Sequence, residues 1–220
     1  MAVDGPSGSG KSSASKGVAR ALGLRYLDTG AMYRALTWWL MSARADITDE
    51  TLVASRAAEP AIEVSTDPDD PWTRVDGRDV SAEIRTREVS AHVSAVAVVP
   101  EVRRHLISLQ RAIIAAAQPG IVAEGRDIGT VVAPDAQLKV FLTAHSQARA
   151  KRRAAEQGAA VDVTEADQDR RDRLDAAQSA KAADAVLLDA TDLTLPEVIG
   201  AITRLARERV PLARAGGKSS

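Results

Sequence analysis

The chain has 220 residues, 45% of them hydrophobic, and 29 basic against 30 acidic side chains leave a net charge of −1. That composition supports one folded domain with a real core and excludes a disordered chain, while the balanced charge argues against a nucleic-acid partner and for local arginine clusters around a small anion. Without cysteine there are no disulfides or thiolate metal sites, no apolar run nears the ~20 residues of a membrane span, and no leader-like segment precedes the first motif, so a cytoplasmic protein without a membrane partner is expected.

The first predicted element is a strand at 2–4, apolar until Asp4. It is short for a buried parallel strand, either by nature or because residues precede Met1 in the natural chain. The segment Gly5-Pro6-Ser7-Gly8-Ser9-Gly10-Lys11-Ser12 follows, and a helix is predicted from Lys11 until Gly23 stops it. Strand, glycine-rich loop and helix in that order fit G-x-x-x-x-G-K-[ST] in full. Glycines bring bare amides close to a ligand, and the unpartnered first amides of a helix attract anions. Gly5, Pro6, Ser7, Gly8, Ser9, Gly10, Lys11, Ser12 and Ser13 are therefore the candidate triphosphate-binding residues. Lys11 would reach the outer phosphates and the Ser12 hydroxyl would ligate magnesium.

A second strand is expected at 25–27, then a helix whose Met32, Ala35, Leu36, Trp39 and Leu40 share one face. From about 45 to 99 the strand–helix rhythm breaks. Asp67-Pro68-Asp69-Asp70-Pro71 is a turn cluster, and Asp76-Gly77 between β-prone pieces signals a hairpin, so an inserted subdomain of short strands and helices is expected. Pro100 opens a helix striped by Val102, Leu106, Leu109 and Ile113. Strands at 121–124, 138–143 and 185–189 and a helix at 195–207 complete an α/β pattern with a parallel sheet. Between them, residues 145–173 carry Arg149, Lys151, Arg152, Arg153, Arg170, Arg171 and Arg173, which is either a solvated charged helix pair or a basic lid over phosphates. His92, His105 and His145 are scattered and suggest no metal site.

The phosphate loop does not by itself choose a reaction. A guanine-reading Asn-Lys-x-Asp is absent, and the strand in LKVFLTAH ends in Thr143 and Ala144 rather than in the acids of a motor ATPase. A compact kinase remains. In RYLDTGAMYRALTWWL, Asp28, Thr29 and Gly30 fall at a strand end, with Tyr33 and Arg34 expected in the first turn of the next helix. In VAEGRDIGTVV another strand end carries Arg126 and Asp127. With SAVAVVPEVRRHLISLQR, and RRDRLD ahead of DAVLLDAT, these motifs resemble bacterial cytidylate kinases in order and over nearly the whole chain.

The resemblance implies an α/β P-loop nucleoside monophosphate kinase fold. A five-stranded parallel core (about 1–44, 100–144 and 174–220) would carry a monophosphate-binding insert (about 45–99) and a lid (about 145–173). It implies phosphoryl transfer from ATP with Mg²⁺ to CMP, and to dCMP, by a monomer. Arg34 and Arg126 would hold the acceptor phosphate, Thr29, Arg103 and Asp127 would face the cytosine, and Ser94, Arg171 and Asp175 would meet the sugar. Chemically, a carboxylate such as Asp127 accepts from the cytosine amine but meets a carbonyl in uracil. Lys11, Arg126, Arg149 and Arg153 are the expected catalytic cations, and Asp28 would orient waters on the metal. After Asp175, Gln178 stands where the family has an arginine, and about four residues are missing before Ala182. A kinase for UMP, AMP, shikimate or dephospho-coenzyme A, and a weakly catalytic nucleotide-binding module, are the competing readings.

Overall fold

The computed structural model describes residues 1–157, with main chain alone for 153–157, and residues 179–209. In chain order the elements are β1 (Ala2–Asp4), α1 (Lys11–Leu22), β2 (Arg25–Asp28), α2 (Thr29–Ser42), α3 (Glu50–Arg56), β3 (Ile62–Val64), β4 (Thr73–Val75) and β5 (Arg78–Asp79). Then come α4 (Arg87–Ala97), α5 (Pro100–Ala116), β6 (Ile121–Gly125), β7 (Lys139–Thr143), α6 (Ser146–Gln157), β8 (Val186–Asp189) and α7 (Leu195–Arg209). Arg171, Asp175 and Gln178 lie outside the described residues, as does the side chain of Arg153.

Five strands pair in the order β2–β6–β1–β7–β8, every neighbouring pair parallel. Alternation along each strand sends side chains to opposite faces. Ala2, Leu27, Ile121 and Ala123 face one way and pack with Met32, Leu36 and Leu40 of α2 and with Val102 and Leu106 of α5. Val3, Tyr26, Val122, Val140 and Leu142 face the other way and pack with Ala14 and Val18 of α1 and with Val198 and Ile202 of α7. The sheet is therefore sandwiched, and its carboxyl edge is left for the loops that follow β1, β2 and β6.

Helix α1 ends as its sequence dictates. Gly23 adopts the left-handed conformation (φ 64°) and its N–H satisfies the carbonyls of Ala19 and Arg20. Helix α2 differs from its one-faced reading. Ala31 and Ala35 bury a second face under Val75, Val80 and Ile84, so this helix lies between the central core and a three-stranded antiparallel sheet, β3–β4–β5. That sheet turns at Asp76-Gly77, both with positive φ (51° and 77°), the pattern of a tight hairpin matched to strand twist. Asp76 is held in place by the Ala61 N–H (2.9 Å) and the Trp39 indole N–H (3.1 Å).

Candidate active site

One cleft runs along the carboxyl edge of the sheet. Its lining comes from the loop after β1 (Ser7, Gly8 and Gly10 to Ser13), the β2–α2 junction (Asp28 to Gly30, Tyr33 and Arg34), Arg85, Val93, Ser94 and Ala97, Arg103 of α5, and Glu124 to Asp127.

At one end the chain leaves β1 through Gly5, whose φ of 150° and close approach to β7 exclude any side chain. A Cβ there would sit 2.0 Å from the Leu142 carbonyl oxygen. Gly10 caps α1 in the left-handed region (φ 90°) without a side-chain cap, which leaves the first amides of the helix for a ligand. Lys11 donates from Nζ to the Pro6 carbonyl at 2.8 Å. Burial and the neighbouring Arg126 push its pKa down to about 8, against the pull of Glu124, Asp4 and Asp28. Helix α6 is tied to the loop: Arg149 donates to the Ser7 carbonyl (2.9 Å) and Arg152 to that of Ser9 (3.4 Å). Arg152 also holds the Ala190 carbonyl beyond β8.

Asp4, read from the sequence only as a strand end, organises the neighbouring loop. Its carboxylate accepts from the Ile128 N–H (2.8 Å) and the Gly129 N–H (2.7 Å), fixing the turn that follows Arg126 and Asp127. Burial pushes the Asp4 carboxyl above its usual range and the two amides pull it back.

The other end is built from separate segments. Asp28 N-caps α2 by accepting from the Ala31 N–H (2.9 Å), so the helix starts at Thr29. Tyr33 and Arg34 consequently sit in its second turn, one turn later than expected, because the capping aspartate ends β2 and opens α2 without a linker. The second Asp28 oxygen pairs with Arg85 at 3.1 Å. Arg34 donates to Ser90 (2.8 Å) and to the Ile84 carbonyl (3.1 Å), which ties α2 to the segment around α4. Arg103 and Asp127 form a close ion pair whose side chains are 19% and 10% exposed, buried enough to act as a fixed donor beside a fixed acceptor. Tyr33 lines the cleft beside this pair, and burial lifts its hydroxyl pKa to about 12.

Between the two ends lies Glu124, 3% exposed. Tyr26 donates to its Oε1 at 2.6 Å, while Thr29 donates to its main-chain carbonyl at 2.7 Å. Burial and the negative charge of Asp28 push the Glu124 carboxyl up, and Lys11 with the Tyr26 hydroxyl opposes them.

The model of the family described as "Cytidylate kinase" matches residues 1–208. The chain belongs to the cytidylate kinase family. The cytidylate kinase of Streptomyces avermitilis is 54% identical over 95% of this chain and 93% of its own. That of Streptomyces coelicolor is 53% identical over the same shares. Among solved structures, an uncharacterized protein from Eubacterium ventriosum is 11% identical, with a TM-score of 0.51 over 94% of this chain and 97% of its own, a likeness of fold alone.

Of the residues that the sequence singled out, Ser12, Asp28, Thr29, Arg34, Ser94, Arg103, Arg126 and Asp127 line the one cleft with Lys11. Arg149, which does not line it, is hydrogen-bonded to the phosphate loop at the Ser7 carbonyl. Glu124, Arg85 and Tyr33 were given no site role by the sequence, and Arg152 only a place in the basic lid reading. For Glu124 a signal was present, a charged residue closing the apolar run of β6. For Arg85 there was none, because its partner Asp28 lies 57 positions away. Arg149 and Arg152, three apart on α6, both meet the phosphate loop, and this periodicity could have drawn attention to Arg152 beside Arg153.

Proposed function

We propose that this member of the cytidylate kinase family transfers the γ-phosphoryl group of ATP to CMP, and to dCMP, releasing ADP and the pyrimidine diphosphate. The observation that carries the reading is the Arg103–Asp127 pair standing in the same cleft as the phosphate loop. The base-pairing edge of cytosine presents an amine donor beside acceptor atoms. Asp127 accepts from the amine and Arg103 donates to the ring acceptors. Uracil would set its carbonyl against the carboxylate, and a mismatch of that kind in a buried site costs on the order of 10²-fold in kcat/KM.

ATP enters with its triphosphate over the amides of Gly8 to Ser13, and Lys11 exchanges the Pro6 carbonyl for the outer phosphates. Arg34 and Arg126 hold the acceptor phosphate, and Ser94 meets the sugar. Arg171 and Asp175, outside the described residues, would complete the sugar side. The acceptor phosphate is anionic at neutral pH, so no general base is required, and catalysis is alignment with charge stabilisation. Arg149, with Arg153, would cover the donor phosphates and keep water from competing.

The residues present fit a magnesium ion. The Ser12 hydroxyl and the carboxylates of Asp28 and Glu124 are hard oxygen groups lining the cleft beside Lys11, and magnesium takes its remaining ligands from phosphates and water. Bound with ATP, the ion would neutralise charge on the outer phosphates, and Asp28 would orient its waters. The proposed division is a core of about 1–44, 100–144 and 174–220, a monophosphate-binding insert of about 45–99 and a lid of about 145–173. We assign it as a monomer of the cytoplasm. No helix among the described residues is long and apolar enough to cross a membrane.

A coupled ADP-release assay over CMP, dCMP, UMP, AMP and shikimate tests the reading. CMP and dCMP are expected to give the highest kcat/KM, and faster turnover of AMP or shikimate would reject it.

A further inference from the structure

We infer that Asp4 is a positioning residue for the choice of acceptor base: it anchors the near end of the turn on which Asp127 stands, and Arg111 anchors the far end. The inference rests on the kinase reading above and deepens it at the acceptor end of the site.

A carboxylate reads the cytosine amine only if it cannot drift, because a hydrogen bond weakens steeply with poor distance and angle. Arg103 holds the side chain of Asp127, and the main chain beneath it is held separately. The Asp127 carbonyl accepts from the N–H groups of Val131 (2.8 Å) and Val132 (3.3 Å), which winds residues 128–132 into one wide helical turn. The first amides and last carbonyls of such a turn find no partner within it. Asp4 satisfies the first, its Oδ1 accepting from Ile128 (2.8 Å) and its Oδ2 from Gly129 (2.7 Å). Arg111 of α5 satisfies the last, donating to the carbonyls of Val131 (2.6 Å) and Val132 (3.0 Å). An anion at the start and a cation at the end also match the dipole of the turn. No slack remains between turn and anchor: a Cβ on Gly129 would stand 3.2 Å from Asp4 Oδ2 and 3.1 Å from Lys139 Cδ.

Asp4 is 4% exposed, and neither it nor Arg111 lines the cleft, so both reach the base only through Asp127. Ile128 directly follows Asp127, and loss of its anchor loosens the neighbour of the base reader. Asp4 also directly precedes Gly5, so a change there can disturb the phosphate loop as well. Arg111 is exposed on α5 and bonded to the far end of the turn, and its substitution separates the two effects. A disturbed phosphate loop lowers turnover of every acceptor. A loosened Asp127 penalises CMP and spares UMP, which has no amine for it to read.

The experiment is steady-state kinetics with CMP and with UMP at saturating ATP, on the wild type, Asp4→Asn, Arg111→Met, Asp127→Ala and the double variant Asp4→Asn/Asp127→Ala. Thermal melts and calorimetric ATP binding serve as controls. In Asp4→Asn the ratio of kcat/KM between CMP and UMP is expected to fall about 3- to 10-fold, the equivalent of one buried hydrogen bond, chiefly through a raised KM for CMP. In Arg111→Met it is expected to fall about 2- to 3-fold, the lower end of that range for a bond open to water, with ATP binding at the wild-type value. Adding Asp4→Asn to Asp127→Ala is expected to leave the ratio where Asp127→Ala put it, because the positioned group is gone. An unchanged ratio in both single variants, whether activity is kept or lost equally with the two acceptors, overturns the inference. So does a further fall of the same size in the double variant. If one single variant fails to melt cooperatively, the other decides. A wild type with no preference for CMP over UMP overturns the kinase reading itself. A wild type that prefers CMP, with unaffected ratios in the variants at Asp4 and Arg111, overturns the Asp4 inference alone.

Discussion

At the proposed donor end of the cleft, nine consecutive residues, 5–13, supply the site, chiefly through main-chain amides shaped by Gly5, Gly8 and Gly10. At the proposed acceptor end, Thr29, Arg34, Ser94, Arg103 and Asp127 come from α2, α4, α5 and the edge of β6. They are held there by side-chain contacts: Arg103 to Asp127, Arg34 to Ser90, Asp28 to Arg85. The donor end binds what every nucleoside triphosphate shares, and repeated amides suffice for that. The acceptor end must tell one base from another, which needs a donor and an acceptor fixed side by side from different elements. A change at the first end should abolish chemistry whatever the acceptor, and a change at the second should redistribute activity among acceptors.

The largest expected effect is at Lys11. Lys11→Met should lower kcat by about 10²- to 10³-fold, the usual cost of removing one preorganised charge from a developing anion. CMP affinity should be unchanged, as read by steady-state kinetics and calorimetry. A comparable loss of CMP binding would mean that the two ends are not separable. Next comes Asp127→Ala, for which the ratio of kcat/KM between CMP and UMP should fall by on the order of 10²-fold. A ratio that survives the substitution would take base reading away from the Arg103–Asp127 pair.

The third test uses pH. Lys11 titrates near 8 in the free protein, and bound phosphates favour its ammonium form. ATP binding should therefore take up a proton above pH 8, and affinity should fall as pH rises, by about tenfold at pH 9. Lys11→Arg keeps its charge over that range and should give a flat profile. A flat wild-type profile would remove Lys11 from phosphate binding. The smallest effect is expected far from both ends. Asp49 caps α3 by accepting from the Leu52 N–H at 3.0 Å. Asp49→Ala should cost about 1 kcal/mol of stability in a denaturant melt, with kcat and both KM values unchanged.

What was legible in the sequence follows the same division. The phosphate loop, the stop of α1 at Gly23 and the Asp76-Gly77 turn are local rules, and each appears where the residues put it. The five strands were visible, three of them as apolar runs ending in a polar residue, with β2 and β6 each one residue longer than read and β7 and β8 each one shorter. The double burial of α2 was not visible, because Ala31 and Ala35 are small enough to sit on any face, and only the β3–β5 sheet packed against them makes that face a core. Asp4, Glu124 and Arg85 were missed as site builders for one physical reason. Their partners, Ile128, Tyr26 and Asp28, lie 124, 98 and 57 positions away, and no local periodicity links residues joined only by the tertiary fold. Thr29, Arg103 and Asp127 were found through the family resemblance, since nothing in their local pattern announces a shared site.

The account depends most on how the acceptor base is read, and a crystal structure with CMP and a non-hydrolysable ATP analogue addresses this directly. The cytosine amine is expected within hydrogen-bond distance of an Asp127 carboxylate oxygen, with Arg103 on the ring acceptors and the CMP phosphate turned toward Lys11. A cytosine bound away from Asp127, or a CMP phosphate pointing away from the phosphate loop, would contradict it.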